Sequence, residues 1–108
     1  MSYNTPEGKI KRKVSQLFKD HGVWYFMPAS NGFGKAGIPD YIACVDGYFI
    51  GVECKSDKTK KPTVLQVKCG EQIKQAGGVW MVVYDDETLY QLLQIILAAQ
   101  DSSEHVGR

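Results

Sequence analysis

The chain has 108 residues, 44% of them apolar and 23% charged, with a formal net charge of +1. This is the length of one domain with a single hydrophobic core, and the composition excludes disordered and fibrous classes. No apolar run reaches the 18 or so residues of a membrane span, and no signal-peptide core stands at the N-terminus. A cytoplasmic protein without a membrane partner is expected. The three cysteines, Cys44, Cys54 and Cys69, lack C-x-x-C spacing, so free buried thiols are expected rather than disulfides or a zinc site.

The small net charge hides an asymmetry. Residues 1–68 hold 11 Lys and Arg against six Asp and Glu, whereas residues 69–108 hold two against six. The basic residues gather in Lys9-Ile10-Lys11-Arg12-Lys13 and in Lys55-Ser56-Asp57-Lys58-Thr59-Lys60-Lys61. Such clusters attract a polyanion such as nucleic acid, or simply solvate a helix face and a loop.

Residues 7 to about 21 read as an amphipathic helix, with Ile10, Val14, Leu17 and Phe18 at helical spacing. Thr5-Pro6 supplies a cap and a first-turn proline, and His21-Gly22 a stop. Glu7 falls within about 20° of Val14 and Phe18 at 100° per residue. It either joins that stripe or serves the helix dipole in the first turn. Val23 to Met27 reads as a strand closed by Pro28. The segment 29–37, with three glycines, reads as a loop; its Lys35 lies close enough to Asp40 in sequence to contact a phosphate.

Two runs rich in β-branched and aromatic residues then flank Asp46-Gly47, the strongest short-range hairpin signal. A two-residue loop there pairs Val45 with Tyr48, and continued outward it sets Asp40 opposite Glu53, their Cβ atoms roughly 4.5–5.5 Å apart. Lys55 shares the face of Glu53 because strand side chains alternate. A lysine-rich loop follows, and Pro62 to about Ala76 reads as a helix in which Thr63 and Gln66 have capping-box spacing. Gly70 weakens this helix unless something packs closely against it. Gly77-Gly78 end the helix. Val79 to Tyr84 reads as a strand buried on both faces, reached by a parallel crossover. Asp85-Asp86-Glu87 cap a last helix carrying Leu89, Leu92, Leu93, Ile96 and Leu97. The domain thus occupies 1–100, and 101–108 reads as a polar, frayed tail.

Like charges directly opposite one another destabilise a sheet, so Asp40 and Glu53 call for a cation or a shared proton. A hard divalent ion with oxygen ligands, Mg²⁺ or Mn²⁺, meets that need. It would polarise a phosphoryl oxygen and acidify water, with Lys55 placed to orient that water or to stabilise developing charge.

Pro39-Asp40, then Glu53-Cys54-Lys55, is the PD-(D/E)xK pattern of metal-dependent nucleases. With Gly37-Ile38 before it, Pro62-Thr63-Val64-Leu65-Gln66 after the hairpin and Gly77-Gly78 before a hydrophobic strand, the chain closely resembles the virus-type replication-repair nuclease (VRR-NUC) domain, including its stand-alone phage members. The resemblance implies an α/β fold with a restriction-endonuclease-like αβββαβ core, a mixed sheet flanked by helices. It implies metal ligation by Asp40, Glu53 and the Cys54 carbonyl, with Glu7 approaching the metal. Lys55 becomes the catalytic lysine, and Gln66 the glutamine that projects toward the site. For a DNA substrate, the basic clusters and the glycine-containing loop offer Lys11, Arg12, Lys35, Lys58, Lys60 and Lys61 as the contacting cations. The implied activity is cleavage of branched DNA by a homodimer, four-way (Holliday) junctions first, in phage replication, recombination or repair. A flap or restriction-type nuclease and a catalytically silent DNA-binding module are the alternatives.

Overall fold

The computed structural model describes residues 4–29 and 36–105, with side chains through Ser102. The order is α1 (Pro6–Asp20), β1 (Trp24–Phe26), β2 (Tyr41–Val45), β3 (Tyr48–Cys54), α2 (Val64–Gln75), β4 (Val79–Val83) and α3 (Asp86–His105). The four strands form one mixed sheet in sequence order, antiparallel except for the β3–β4 pair. This is the expected α/β architecture.

Asp46 and Gly47 take φ of 49° and 92°. Positive φ at both central residues is what a type I′ turn requires, and its twist matches that of the strands it joins. The register follows: Val45 pairs with Tyr48, and the pairing continues to Tyr41 with Val52.

Alternation then sorts the sheet into two faces. Tyr41, Ala43, Val45, Ile50, Val52 and Cys54 point into the core, where they meet Val14 and Phe18 of α1 and Leu92 and Ile96 of α3. Phe18, Tyr25 and Tyr41 pack their rings at centroid distances of 5.2–5.8 Å. Gln100 Nε2 donates to the His21 carbonyl at 2.8 Å, tying α3 to the end of α1.

The opposite face carries Gly51 and Trp80, and α2 lies on it. A Cβ at Gly70 would stand 2.2 Å from the Trp80 ring, and one at Gly51 would be 3.2 Å from Ile73. Glycine at 70 thus lets α2 sit on the indole. At Gly37 (φ +84°) an added Cβ would come within 2.3 Å of the Leu65 carbonyl, so the approach to Asp40 is pressed against the first turn of α2.

Four expectations are corrected. Cys44 is exposed, on the strand face away from the core, whereas Cys54 and Cys69 are buried free thiols. β1 is three residues long rather than five, because the Val23 N–H is taken by the Phe18 carbonyl at the end of α1 (2.9 Å). β4 is covered by α2 and α3, as expected of a strand buried on both faces, but it lies at a sheet edge and only Val83 is fully buried. Residues 101–105 continue α3 instead of fraying, with Asp101 exposed.

Gly70→Ala tests the close approach of α2. In an exposed helix that change gains about 1 kcal/mol; overpacking against Trp80 costs about 1–3 kcal/mol. Thermal unfolding is expected to show a net loss of stability, and a gain would contradict this packing.

Candidate active site

The hairpin and the first helix build one cluster. β2 begins at Tyr41, so the Cys54 N–H of β3 has no partner on that strand, and Asp40 Oδ2 accepts from it at 2.7 Å. The next N–H, of Lys55, turns the other way and donates to the Val83 carbonyl at 3.0 Å. The N–H and C=O of a strand residue face the same neighbour, so the Cys54 carbonyl lies on the Asp40 side. Asp40 is therefore fixed by the backbone beside Glu53, as the register requires.

Glu53 is 1% exposed, and its Oε2 is buried with no hydrogen-bond partner. Burial first, then hydrogen bonding to and repulsion by Asp40, push its carboxyl up to about 9 against an ordinary 4.5, while Lys55 pulls the other way. Lys55 is half-buried and its charge reaches Glu53. Burial and the neighbouring Asp40 charge drive the Cys54 thiol far up, so it is no nucleophile.

Tyr41, which follows Asp40, anchors α1. Its hydroxyl donates to the Lys11 carbonyl at 2.8 Å, so Ser15 Oγ, 2.5 Å from the same hydroxyl, is the donor of that second bond. This places the Lys11 ammonium 3.6 Å from Asp40 Oδ1 and 3.4 Å from Glu7 Oε2. Burial lowers the Lys11 pKa, but Asp40 and Glu7 outweigh it and the net shift is upward. Lys11, expected as a DNA-contacting cation, is ion-paired with Asp40 and Glu7 within the site. Its i, i+4 spacing from Glu7 was the available signal.

The other expected residues divide. Glu7 is close enough for its charge to act on Glu53, yet its carboxylate pairs with Lys11. Gln66 is occupied in the capping box: its Oε1 accepts from Thr63 N–H at 2.8 Å while its own N–H donates to Thr63 Oγ1. Lys58, Lys60 and Lys61 are exposed on a loop held by Asp57, which accepts from the Thr59 N–H at 2.8 Å. Arg12 is exposed on α1, and Lys35 lies outside the described residues.

Among the described residues no group of three or more His, Cys, Asp or Glu side chains is arranged to hold a metal. Asp40 and Glu53 form a pair of carboxylates, one with an orphaned buried oxygen. That set fits Mg²⁺ or Mn²⁺, ions commonly held by one or two carboxylates with water and phosphate oxygens completing the shell.

Residues 5–76 match the sequence model of the archaeal Holliday junction resolvase (Hjc) family, a span running from α1 through α2. The chain belongs to that family. The fold of this Hjc-family chain is similar to a solved VRR_NUC domain, with a TM-score of 0.73, 24% identity, and coverage of 83% of this chain and 96% of that one. The expected nuclease fold is therefore the one present. No curated protein matches the chain.

The raised Glu53 pKa has a definite sign for stability. Below about pH 4.5 both folded and unfolded chains carry the proton. As pH rises, the unfolded chain releases it first, so the metal-free fold loses stability up to about pH 9. Thermal unfolding of metal-free protein across this range is expected to show the decline, and Glu53→Gln to flatten it. An equal slope in both proteins would contradict the assignment.

Proposed function

We propose that the chain is a divalent-metal-dependent endonuclease that hydrolyses phosphodiester bonds in branched DNA, four-way junctions first, in phage replication, recombination or repair. The carrying observation is the Asp40–Glu53 pair beside Lys55 in a chain of the Hjc family. Asp40, Glu53 and the Cys54 carbonyl would hold Mg²⁺ or Mn²⁺, which when bound supplies Lewis-acid polarisation of a phosphoryl oxygen and a more acidic water.

The chain's own groups supply the rest. Lys55, whose charge acts on Glu53, would stabilise the negative charge that gathers as a water oxygen attacks phosphorus and the P–O3′ bond breaks. The products are a 5′-phosphate and a 3′-hydroxyl that takes up the proton. Lys58, Lys60 and Lys61, and Arg12 on α1, offer cations to flanking phosphates, a sequence-independent contact suited to reading DNA shape. Gln66 contributes by holding the start of α2 against Gly37, ahead of Asp40.

A homodimer suits a two-fold junction. The sheet face that bears α2 leaves Trp24 62%, Phe26 46% and Phe49 41% exposed. Apart from the site itself, the strand residues on that face are uncharged. An apolar patch can meet its own copy without opposing like charges, so this is the surface we assign to pairing.

Labelled four-way junction, 5′ flap and duplex DNA, incubated with Mn²⁺, test the reading. Asp40→Asn and Lys55→Ala are expected to lose cleavage by about 10²–10³-fold while still binding junctions. Sedimentation of the wild type is expected to give two chains per particle. Unchanged cleavage by either variant would overturn the site, flap preference the substrate, and a monomer the pairing.

A further inference from the structure

Lys11 occupies ground that a divalent cation would need. Its ammonium is 3.6 Å from Asp40 Oδ1, on a side chain only 19% exposed. The α1 backbone that carries it is anchored beside the site, because the Tyr41 hydroxyl holds the Lys11 carbonyl and Tyr41 is the neighbour of Asp40 in the chain. Asp40 does not need Lys11 for its orientation, since Oδ2 is already held by the Cys54 N–H. Lys11 also has a second carboxylate within reach, Glu7 at 3.4 Å, itself 43% exposed.

We propose that Lys11 is a built-in counter-ion of the carboxylate site, which balances Asp40 in the metal-free protein and is displaced toward Glu7 when a divalent cation enters. The proposal rests on the metal-site reading of Asp40 and Glu53. A divalent cation held by Asp40 would have to share that carboxylate with the Lys11 ammonium. A second positive charge as close as Lys11 now stands would repel it strongly in a half-buried setting. The side chain need only turn from one carboxylate to the other, so the exchange requires no movement of α1. Glu7, brought near the metal by resemblance, acquires a distinct role: it receives the displaced lysine. Lys11 thereby sets the metal affinity from inside the site.

The sign of the effect separates this role from a structural one. A residue that merely builds the site weakens metal binding when removed, whereas a competing cation strengthens it. Mn²⁺ titrations by calorimetry, without DNA, compare wild type with Lys11→Met, Lys11→Gln, Lys11→Arg, Lys9→Met and Asp40→Asn, each checked for folding by circular dichroism. Lys11→Met and Lys11→Gln are expected to bind Mn²⁺ about tenfold more tightly, as removal of a nearby charge implies. Lys11→Arg and the exposed Lys9→Met are expected to match wild type. Unchanged or weaker binding in folded Lys11→Met or Lys11→Gln would overturn the proposal while leaving the metal site intact. Wild-type affinity in Asp40→Asn, or no binding by wild type, would instead overturn the metal-site reading.

Discussion

A hairpin closed by two residues that both take positive φ has one register, and in this chain the register decides the chemistry. Asp46 and Gly47 make that turn, and the pairing they start runs to Tyr41 and Val52. One step further, the ladder ends and Asp40 accepts the Cys54 N–H in place of a strand carbonyl. A slip of one residue would send Glu53 to the core face and bring Val52 or Cys54 out beside Asp40. The same turn that keeps the apolar set of β3 in the core thus keeps the acid set at its edge.

Two carboxylates held together need compensation, and the fold supplies it from several directions. Lys11 arrives from α1, fixed through Tyr41, and neutralises Asp40. Lys55 acts on Glu53 along the strand. What remains is relieved by a proton on Glu53, whose burial favours the neutral form. Opposed acids alone therefore do not require a metal. The orphaned Glu53 oxygen and the two-carboxylate donor set are what support the metal proposed here. On the exchange proposed above, a divalent cation enters this site by displacing the Lys11 ammonium from Asp40.

Much of this was legible in the residues. The hairpin, the opposition of Asp40 and Glu53 and the order of elements follow from local rules of turn geometry and alternation. So does the Thr63–Gln66 box, which the structure forms in full. The resemblance assigned Gln66 to the site, but its amide oxygen is spent on the helix start. Tertiary placement was harder to read. Lys11 sits in a basic run that looks like a solvated face; its i, i+4 spacing from Glu7 hints at the pair, but the contact with Asp40 is a matter of tertiary placement. The apolar run of β4 does not say that the strand lies at the sheet edge, where most of it stays partly exposed. Nor does the polar composition of 101–105 reveal that a helix already begun carries on through it.

The register claim meets its most direct test in a glycine inserted between Asp46 and Gly47, assayed by Mn²⁺ calorimetry with circular dichroism as the check on folding. The account predicts a folded protein that has lost its Mn²⁺ affinity, because Asp40 and Glu53 no longer face each other. A folded insertion variant with wild-type affinity would contradict it.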